Sequence, residues 1–217
     1  MCYSRLNMMT NAASRIFVGF KRNRVLQGML VVFAVAWLAA AIAPENRLDW
    51  FLENLLVFVG AGILVRFYRS RPLSELSYLL ILIFLLLHLL GSHYTYSKVP
   101  VGLWLQDILS QDRNHFDRLV HFGFGLLLAY PVRETLARYS GAGRGLSAFA
   151  TFSIIAASSA VYESMEWGVA IIVSPEAAMA YLGTQGDVFD AQKDATLAMV
   201  GGLIALMVSR RHFRHQP

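Results

Sequence analysis

The feature that most constrains this chain is a series of long apolar stretches, the first of which reads VLQGMLVVFAVAWLAAAIA over residues 25–43. At 1.5 Å per residue, a helix of this length crosses a hydrocarbon core of about 30 Å. Similar stretches follow near residues 50–67, 78–97, 116–137, 147–173 and 190–209. They lack the two-residue alternation of strands and are rich in Leu and Ala. The sequence therefore predicts an all-α, polytopic membrane helical bundle of about six transmembrane helices over residues 25–209, with tails at residues 1–24 and 210–217.

The basic residues predict how this bundle is oriented. Fourteen of the 19 Lys and Arg residues lie in the two tails and in the loops near residues 66–71 and 133–144. By the positive-inside rule, both termini are predicted to be cytoplasmic. Basic loops beside anionic lipid also explain the net charge of +5, so membrane lipids rather than nucleic acid are the predicted partners. The single cysteine, Cys2, excludes an internal disulfide.

The acidic residues are segregated in the opposite way. Twelve of the fourteen Asp and Glu residues lie in the predicted outer loops or in the outer part of a span; the exceptions are Glu75 and Glu134. Insertion rules give acidic residues little weight, so topology alone does not require this distribution. Charges within spans are costly and normally face the bundle interior, with a partner or a function. The segregation therefore indicates a functional or structural polar site on the periplasmic face.

Three spans contribute titratable groups at the same predicted depth. Asp117 and His121 are four residues apart on one helical face, and the motif YESMEW places Glu163 and Glu166 three residues apart. The last span begins with an acidic stripe that is expected to be helical, formed by Asp187, Asp190 and Asp194. Carboxylates that converge need raised pKa values or a cation, and mixed His and carboxylate ligands suit zinc, manganese or iron. The predicted metal ligands are Asp117, His121, Glu163, Asp190 and Asp194.

Three functions are compatible with such a site. The first is metal-dependent hydrolysis or group transfer on an envelope lipid or its phosphate head group. Glu166 or His93 would then be the general base, with Arg113 and Arg118 as anion clamps. The second is a non-catalytic envelope or stress-related protein whose ion pairs lock the helices together. The third is a small transporter, which the scarcity of acidic groups in the cytoplasmic half disfavours. His88, among leucines in LLLHLLG, is expected to be a hydrogen-bonded packing residue.

Four motifs carry a resemblance to a known family: GSHYTYSKVPVGLWLQD, RNHFDRLVHFGFG, YESMEW and LGTQGDVFDAQKD. With them the chain, from about Leu26 onward, closely resembles the YjdF-like family of multi-pass bacterial inner-membrane proteins, whose biochemical activity is not established. The resemblance implies an integral inner-membrane protein. A remote resemblance to VanZ-like proteins rests on Asp117, Arg118, His121 and Phe122, with a later Glu and an Asp-led final helix. That second resemblance implies a role in the cell envelope, although Trp167 stands where those proteins usually have glutamine.

Overall fold

The computed structural model of the chain describes residues 19–213, and this range folds into helices and turns without a β-strand. The helices are α1 (Arg24–Ala41), α2 (Arg47–Phe67), α3 (Glu75–His93), α4 (Pro100–Ile108), α5 (Phe116–Tyr139), α6 (Arg144–Ala170), α7 (Pro175–Leu182) and α8 (Asp190–Val208). The all-α prediction is confirmed. Cys2 and most of the predicted N-terminal tail, together with residues 214–217, lie outside the described residues.

Local sequence signals explain where several helices begin. The Asn46 side chain caps α2 by accepting hydrogen bonds from the backbone N–H groups of Leu48 at 2.9 Å and Asp49 at 3.3 Å. Ser74 caps α3 in the same way through the N–H of Ser77, at 3.3 Å. Proline, which lacks the N–H that a first helical turn leaves unbonded, is the first residue of both α4 and α7. These two short helices fall in segments that the hydropathy pattern assigned to loops.

Within residues 19–213, six helices are long enough to cross a membrane. Helices α1, α2, α3, α6 and α8 meet this requirement by both length and apolar composition. Helix α5 has 24 residues, enough for about 36 Å, but it carries more charged groups than the others. It is also the central helix, because it packs against α3, α6 and α8. Its polar residues are thus enclosed by protein, as charges at membrane depth require.

Small residues bring α5 and α8 into close contact. A Cβ atom at Gly125 would overlap the backbone carbonyl of Ala198, and one at Gly201 would overlap the carbonyl of Phe122. Such contacts between small residues are the usual means of close helix packing in membranes, where burial of apolar surface supplies little driving force. The close approach also fixes the distance between the acidic residues of the two helices.

The helix ends form two distinct polar regions. At one, here called the Asp117 end, His93 Nδ1 lies 3.0 Å from the Ala40 carbonyl oxygen and Arg113 bonds Asp190. These contacts gather the ends of α1 and α3 and the starts of α5 and α8. The start of α1 and the end of α8 are therefore both at the opposite end of the bundle, here called the Glu134 end. Which end faces the periplasm stays a prediction.

The Glu134 end is held by a fully bonded carboxylate. Glu134 is 2% exposed and accepts hydrogen bonds from the Ser74 N–H at 3.1 Å, the Ser74 hydroxyl at 2.9 Å and the Ser77 hydroxyl. Arg138 Nη1 lies 2.8 Å from its Oε1 atom. Glu134 on α5 thus anchors the first turn of α3.

The described part of the predicted C-terminal tail packs on the same end. The Phe213 side chain is 2% exposed, and the guanidinium of Arg133 lies 4.6 Å from the centre of its ring. His212 Nδ1 lies 3.1 Å from the Tyr130 hydroxyl. The chain after α8 therefore folds back on α5.

Candidate metal centre

The Asp117 end is built on a buried asparagine that precedes α5. Asn114 has no exposed surface, and its amide nitrogen donates to the carbonyls of Ser97 at 3.0 Å and Val99 at 3.1 Å. Its amide oxygen accepts from the Phe116 N–H at 2.9 Å. A Cβ atom at Gly102 would collide with this side chain, so α4 needs a glycine there. Asn114 thereby fixes the first turn of α5, which carries Asp117.

The same asparagine also holds the loop before α8. Its backbone N–H donates to the Gln185 side-chain oxygen at 2.9 Å, and its carbonyl accepts from the Gln185 amide nitrogen at 3.0 Å. This reciprocal pair sets the start of α8 beside the start of α5. The result is that acidic residues far apart in sequence meet at one depth.

An outer layer of ion pairs covers this junction. Arg113 binds Asp190 through two contacts, of 2.5 and 3.1 Å, and both side chains are buried. Arg118 lies 2.5 Å from an oxygen of Asp187 and 3.2 Å from one of Asp190. Both arginines predicted to clamp an anion therefore bind carboxylates of their own chain.

Two groups of this layer outside the helices have shifted pKa values. The Lys193 ammonium, 2.5 Å from Asp187, and further hydrogen bonds from Phe189 N–H and Arg118 lower the pKa of Asp187 to about 2. Burial, reinforced by the positive charges of Arg118 and Arg113, lowers the pKa of His115 below its usual value of 6.5. At neutral pH Asp187 is thus an anion and His115 is neutral.

The sequence prediction of one acidic stripe on the last helix is wrong for its first member. Helix α8 begins at Asp190, so Asp190 and Asp194 lie on it, whereas Asp187 lies in the preceding turn. There its Oδ1 atom accepts from the Phe189 N–H at 3.1 Å. In this turn Asp187 contacts Arg118 and Lys193 of the outer layer. It therefore does not share a helical face with Asp190 and Asp194.

Beneath the ion pairs lies a group that can hold a metal ion. Asp117, His121 and Asp194 each offer a ligand atom, and these three atoms lie within 4.8 Å of one another. His121 and Asp194 are 8% and 2% exposed. The Nε2 atom of His121 is 3.7 Å from an Asp117 oxygen and 3.3 Å from Glu163 Oε1. Three helices, α5, α6 and α8, thus supply this centre.

Two carboxylate oxygens of the centre lack a hydrogen bond. Asp194 Oδ1 and Glu163 Oε1 are both shielded from solvent and have no hydrogen-bond partner in the structure. Glu166, the second carboxylate of YESMEW, follows Glu163 by three residues on α6 and interacts with it electrostatically. Buried carboxylates this close require a shared proton or a bound cation.

The sequence reasoning missed a buried carboxylate on α2. Glu53 is 4% exposed, and its Oε2 atom accepts a hydrogen bond from the Tyr162 hydroxyl at 2.7 Å. The Tyr162 ring in turn packs edge-on against His121, with centroids 5.8 Å apart. Glu53 also lies within electrostatic range of Asp117 and Glu166. The signal was present, since Glu53 and Asn54 interrupt an otherwise apolar span.

His88 and His93 have other contacts. Both nitrogens of His88 have partners: Nδ1 lies 2.7 Å from the Tyr96 hydroxyl and Nε2 lies 3.3 Å from the Glu53 carbonyl. It is thus the hydrogen-bonded packing residue that the sequence predicted. His93, the predicted alternative general base, lies against α1 through Ala40 and packs on the Tyr94 ring at 4.5 Å. The structure therefore brings Glu166, but not His93, to the candidate centre.

Comparison with known proteins decides the family. The model of a family described as predicted membrane protein (DUF2238) matches residues 25–215. The chain belongs to this family. It is also 34% identical over 192 residues to inner membrane protein YjdF of Escherichia coli (strain K12), covering 88% of this chain and 91% of that relative. No solved structure matches the chain.

Membership in the DUF2238 family confirms the predicted YjdF-like relationship and the location. The chain is an integral, multi-pass protein of the inner membrane, in agreement with its long apolar helices. The remote resemblance to VanZ-like proteins stays a prediction. Neither the family description nor the relative's name specifies a reaction, so the chemistry must be argued from the candidate centre.

Proposed function

We propose that the Asp117 end binds a divalent metal ion through Asp117, His121 and Asp194, with Glu163 completing the site. The supporting observation is the convergence of three ligand atoms within 4.8 Å from helices α5 and α8. One imidazole and several carboxylates form a donor set that suits zinc, manganese or iron. Ligand atoms around a tetrahedral zinc lie about 3.3 Å apart. In this proposal, side-chain rotation brings the three ligand atoms from their present separation to that spacing.

The hydrogen bonding supports a cation at this position. Asp194 Oδ1 and Glu163 Oε1 have no hydrogen-bond partner, and Glu163 Oε1 is close to His121 without an aligned hydrogen bond. A metal ion would give both oxygens a partner and would offset the negative charge. Asp190, by contrast, is already bound by Arg113 and Arg118. In this proposal Asp190 therefore positions α8 and is not a ligand.

The proposed chemistry is hydrolysis or group transfer on an envelope lipid or its phosphate head group. The proposal rests on the position of Asp117, His121 and Asp194 within the first two turns of α5 and α8, since the ends of spans are expected near the depth of lipid head groups. A bound metal ion would lower the pKa of a coordinated water and polarise a phosphoryl oxygen. Glu166, beside Glu163, is the general base of this proposal. Because Arg113 and Arg118 are bound by aspartates, they hold the centre together and are not free to clamp substrate.

Metal analysis of the purified protein tests the binding step. Wild type is loaded with zinc, manganese or iron, dialysed, and measured by plasma mass spectrometry. We expect about one ion per chain, a strong loss of bound metal in Asp194→Asn and Asp117→Asn, and retention in Asp107→Asn, a control at an exposed aspartate on α4. Wild-type protein that retains no metal, or an Asp194→Asn variant that retains it fully, contradicts the proposal.

A second assay tests the reaction. Metal-loaded protein is incubated with vesicles that contain a lipid phosphate, and released inorganic phosphate is measured. The proposal expects release by wild type and by Asp107→Asn, and a decrease of about 100-fold or more in Glu166→Gln, whose bound metal should remain. Release that is equal in Glu166→Gln and wild type would exclude this residue as the base.

The ion pairs favour a second candidate, a non-catalytic protein with a structural polar network. Arg113, Arg118 and Lys193 satisfy Asp187 and Asp190 without any ligand. If this is the whole function, Asp194→Asn removes a buried unpaired charge and leaves the protein as stable as wild type or more stable. In the metal proposal, the same variant instead loses the stabilisation that added metal gives.

A further inference from the structure

A small polar cavity lies at the same end of the bundle as the candidate centre and shares none of its proposed ligands. It has a volume of about 120 Å³ and is lined by Glu45, Asn46, Asp49, Thr95, Ser97 and Lys98. These residues come from the start of α2 with the segment before it and from the segment between α3 and α4. The cavity is therefore at the Asp117 end, where the helices leave the membrane.

The wall of this cavity is preorganised. The Tyr96 N–H donates to the Gly91 carbonyl at 2.8 Å, and the Ser97 carbonyl is bound by the buried Asn114. Thr95 and Tyr96 both have positive φ angles, of 53° and 51°, an uncommon conformation that the surrounding bonds maintain. The segment is thus held in one shape without help from a ligand.

One carboxylate in the cavity lacks a partner. Asp49 is 4% exposed, and its Oδ2 atom is shielded from solvent and makes no hydrogen bond. Lys98 is within electrostatic range of Asp49, but its ammonium group is bonded to Glu45 Oε1 at 2.6 Å. That pair is at the rim, with 59% and 43% of the two side chains exposed. Asp49 therefore needs a further hydrogen-bond donor, and a cationic donor suits it best.

We infer that this cavity binds a primary ammonium group next to a phosphate, the chemistry of an ethanolamine head group. Asp49 and the hydroxyls of Thr95 and Ser97 supply acceptors for the N–H donors of an ammonium. None of the six lining residues is aromatic, whereas quaternary ammonium groups are usually held in aromatic cages. Lys98 at the rim offers a positive charge to the phosphate. The assignment does not depend on metal binding at Asp117.

Thermal unfolding in a neutral detergent tests the inference. Short-chain phosphatidylethanolamine, phosphatidylcholine and phosphatidylglycerol are titrated against wild type, Asp49→Asn and the control Asp107→Asn. We expect phosphatidylethanolamine to raise the unfolding midpoint of wild type and Asp107→Asn in a saturable way. Its apparent affinity should fall by about tenfold or more in Asp49→Asn, because the ammonium loses its charged acceptor.

Two further arms make the result decisive. Soluble phosphoethanolamine distinguishes a free head group from a membrane lipid as the ligand. If it raises the unfolding midpoint as much as phosphatidylethanolamine does, the result supports the cavity with a free head group as its ligand. If only the lipid raises the midpoint, the ligand is a membrane lipid. Lys98→Met changes an exposed residue and replaces Asp49→Asn as the test variant if Asp49→Asn does not fold. We expect Lys98→Met to bind phosphatidylethanolamine about threefold more weakly than wild type. Equal responses to all three lipids, or an undiminished ethanolamine response in both variants, would overturn the inference.

Discussion

The Nε2 atom of His121 on α5 lies 3.3 Å from the Oε1 atom of Glu163 on α6, and yet Glu163 Oε1 makes no hydrogen bond. The two groups are close but not aligned with each other. Asp117 and Asp194 approach the same imidazole. Three ligand atoms, from Asp117, His121 and Asp194, thus lie close together with Glu163 next to the imidazole, and this geometry supports the proposed metal centre.

The Arg113–Asp190 pair should contribute strongly to stability. Arg113→Met leaves the buried Asp190 with only the longer contact to Arg118, so we expect unfolding to become easier by about 3–5 kcal/mol. Chemical denaturation in detergent measures this loss. Lys98→Met, which breaks the exposed pair with Glu45, is the control and should cost about 1 kcal/mol or less. Similar losses in both variants would contradict the structural role given to Arg113.

Close packing of α5 on α8 predicts that alanine destabilises the protein at Gly125 but not at Gly28. Gly125→Ala introduces a methyl group that collides with the Ala198 carbonyl, and we expect a loss of about 1–3 kcal/mol. Gly28→Ala on α1 meets no atom within 4 Å and should leave stability unchanged or slightly raised. Chemical denaturation in detergent measures both variants. If Gly125→Ala is as stable as wild type, α5 and α8 are farther apart than the structure shows.

The Glu134 network should affect stability without affecting the metal. Glu134→Gln weakens the bonds to Ser74, Ser77 and Arg138, so we expect a loss of about 1–3 kcal/mol. Because Glu134 lies at the opposite end of α5, bound metal per folded chain should equal that of wild type. Loss of metal in this variant would mean that metal content reports general stability and not the site.

His115 should make stability depend on pH. Its pKa in the folded protein is lowered, first by burial and then by Arg118 and Arg113, so only the unfolded chain takes up a proton near pH 6.5. The stabilising contribution of the neutral ring is complete above pH 6.5 and is lost as the pH falls through the lowered value. The unfolding midpoint of wild type should therefore exceed that of His115→Asn at pH 7.5, and the difference should shrink as the pH falls to 5.5. A constant difference would show that the pKa of His115 is not lowered.

The sequence was sufficient for the fold class because hydrophobic length is a local property. The six spans follow from apolar stretches, and the shared depth of Asp117, Glu163 and Asp194 follows from counting residues along each helix. The short helices α4 and α7 were not predicted, because neither is long enough to produce a membrane signal. Proline at the start of each was the available indication.

The pairing within the site could not be read from the sequence. Arg113 and Arg118 were expected to face a ligand, but the loop fixed by Asn114 and Gln185 brings Asp187 and Asp190 to them. Glu53 was overlooked although Asp49 precedes it by four residues on α2, because neither residue belongs to the stretches around Asp117, Glu163 and Asp190 from which the site was predicted. Its partner, Tyr162, comes from a helix more than 100 positions later, so only tertiary structure reveals the contact.

X-ray absorption spectroscopy of the zinc-loaded protein tests the central claim most directly. We predict a zinc shell of nitrogen and oxygen atoms at about 2.0–2.2 Å, with the outer-shell scattering of one imidazole. His121→Asn should abolish the imidazole scattering, whereas His88→Asn and His93→Asn should leave it intact. A zinc spectrum without an imidazole, or one that is unchanged in His121→Asn, would contradict the account.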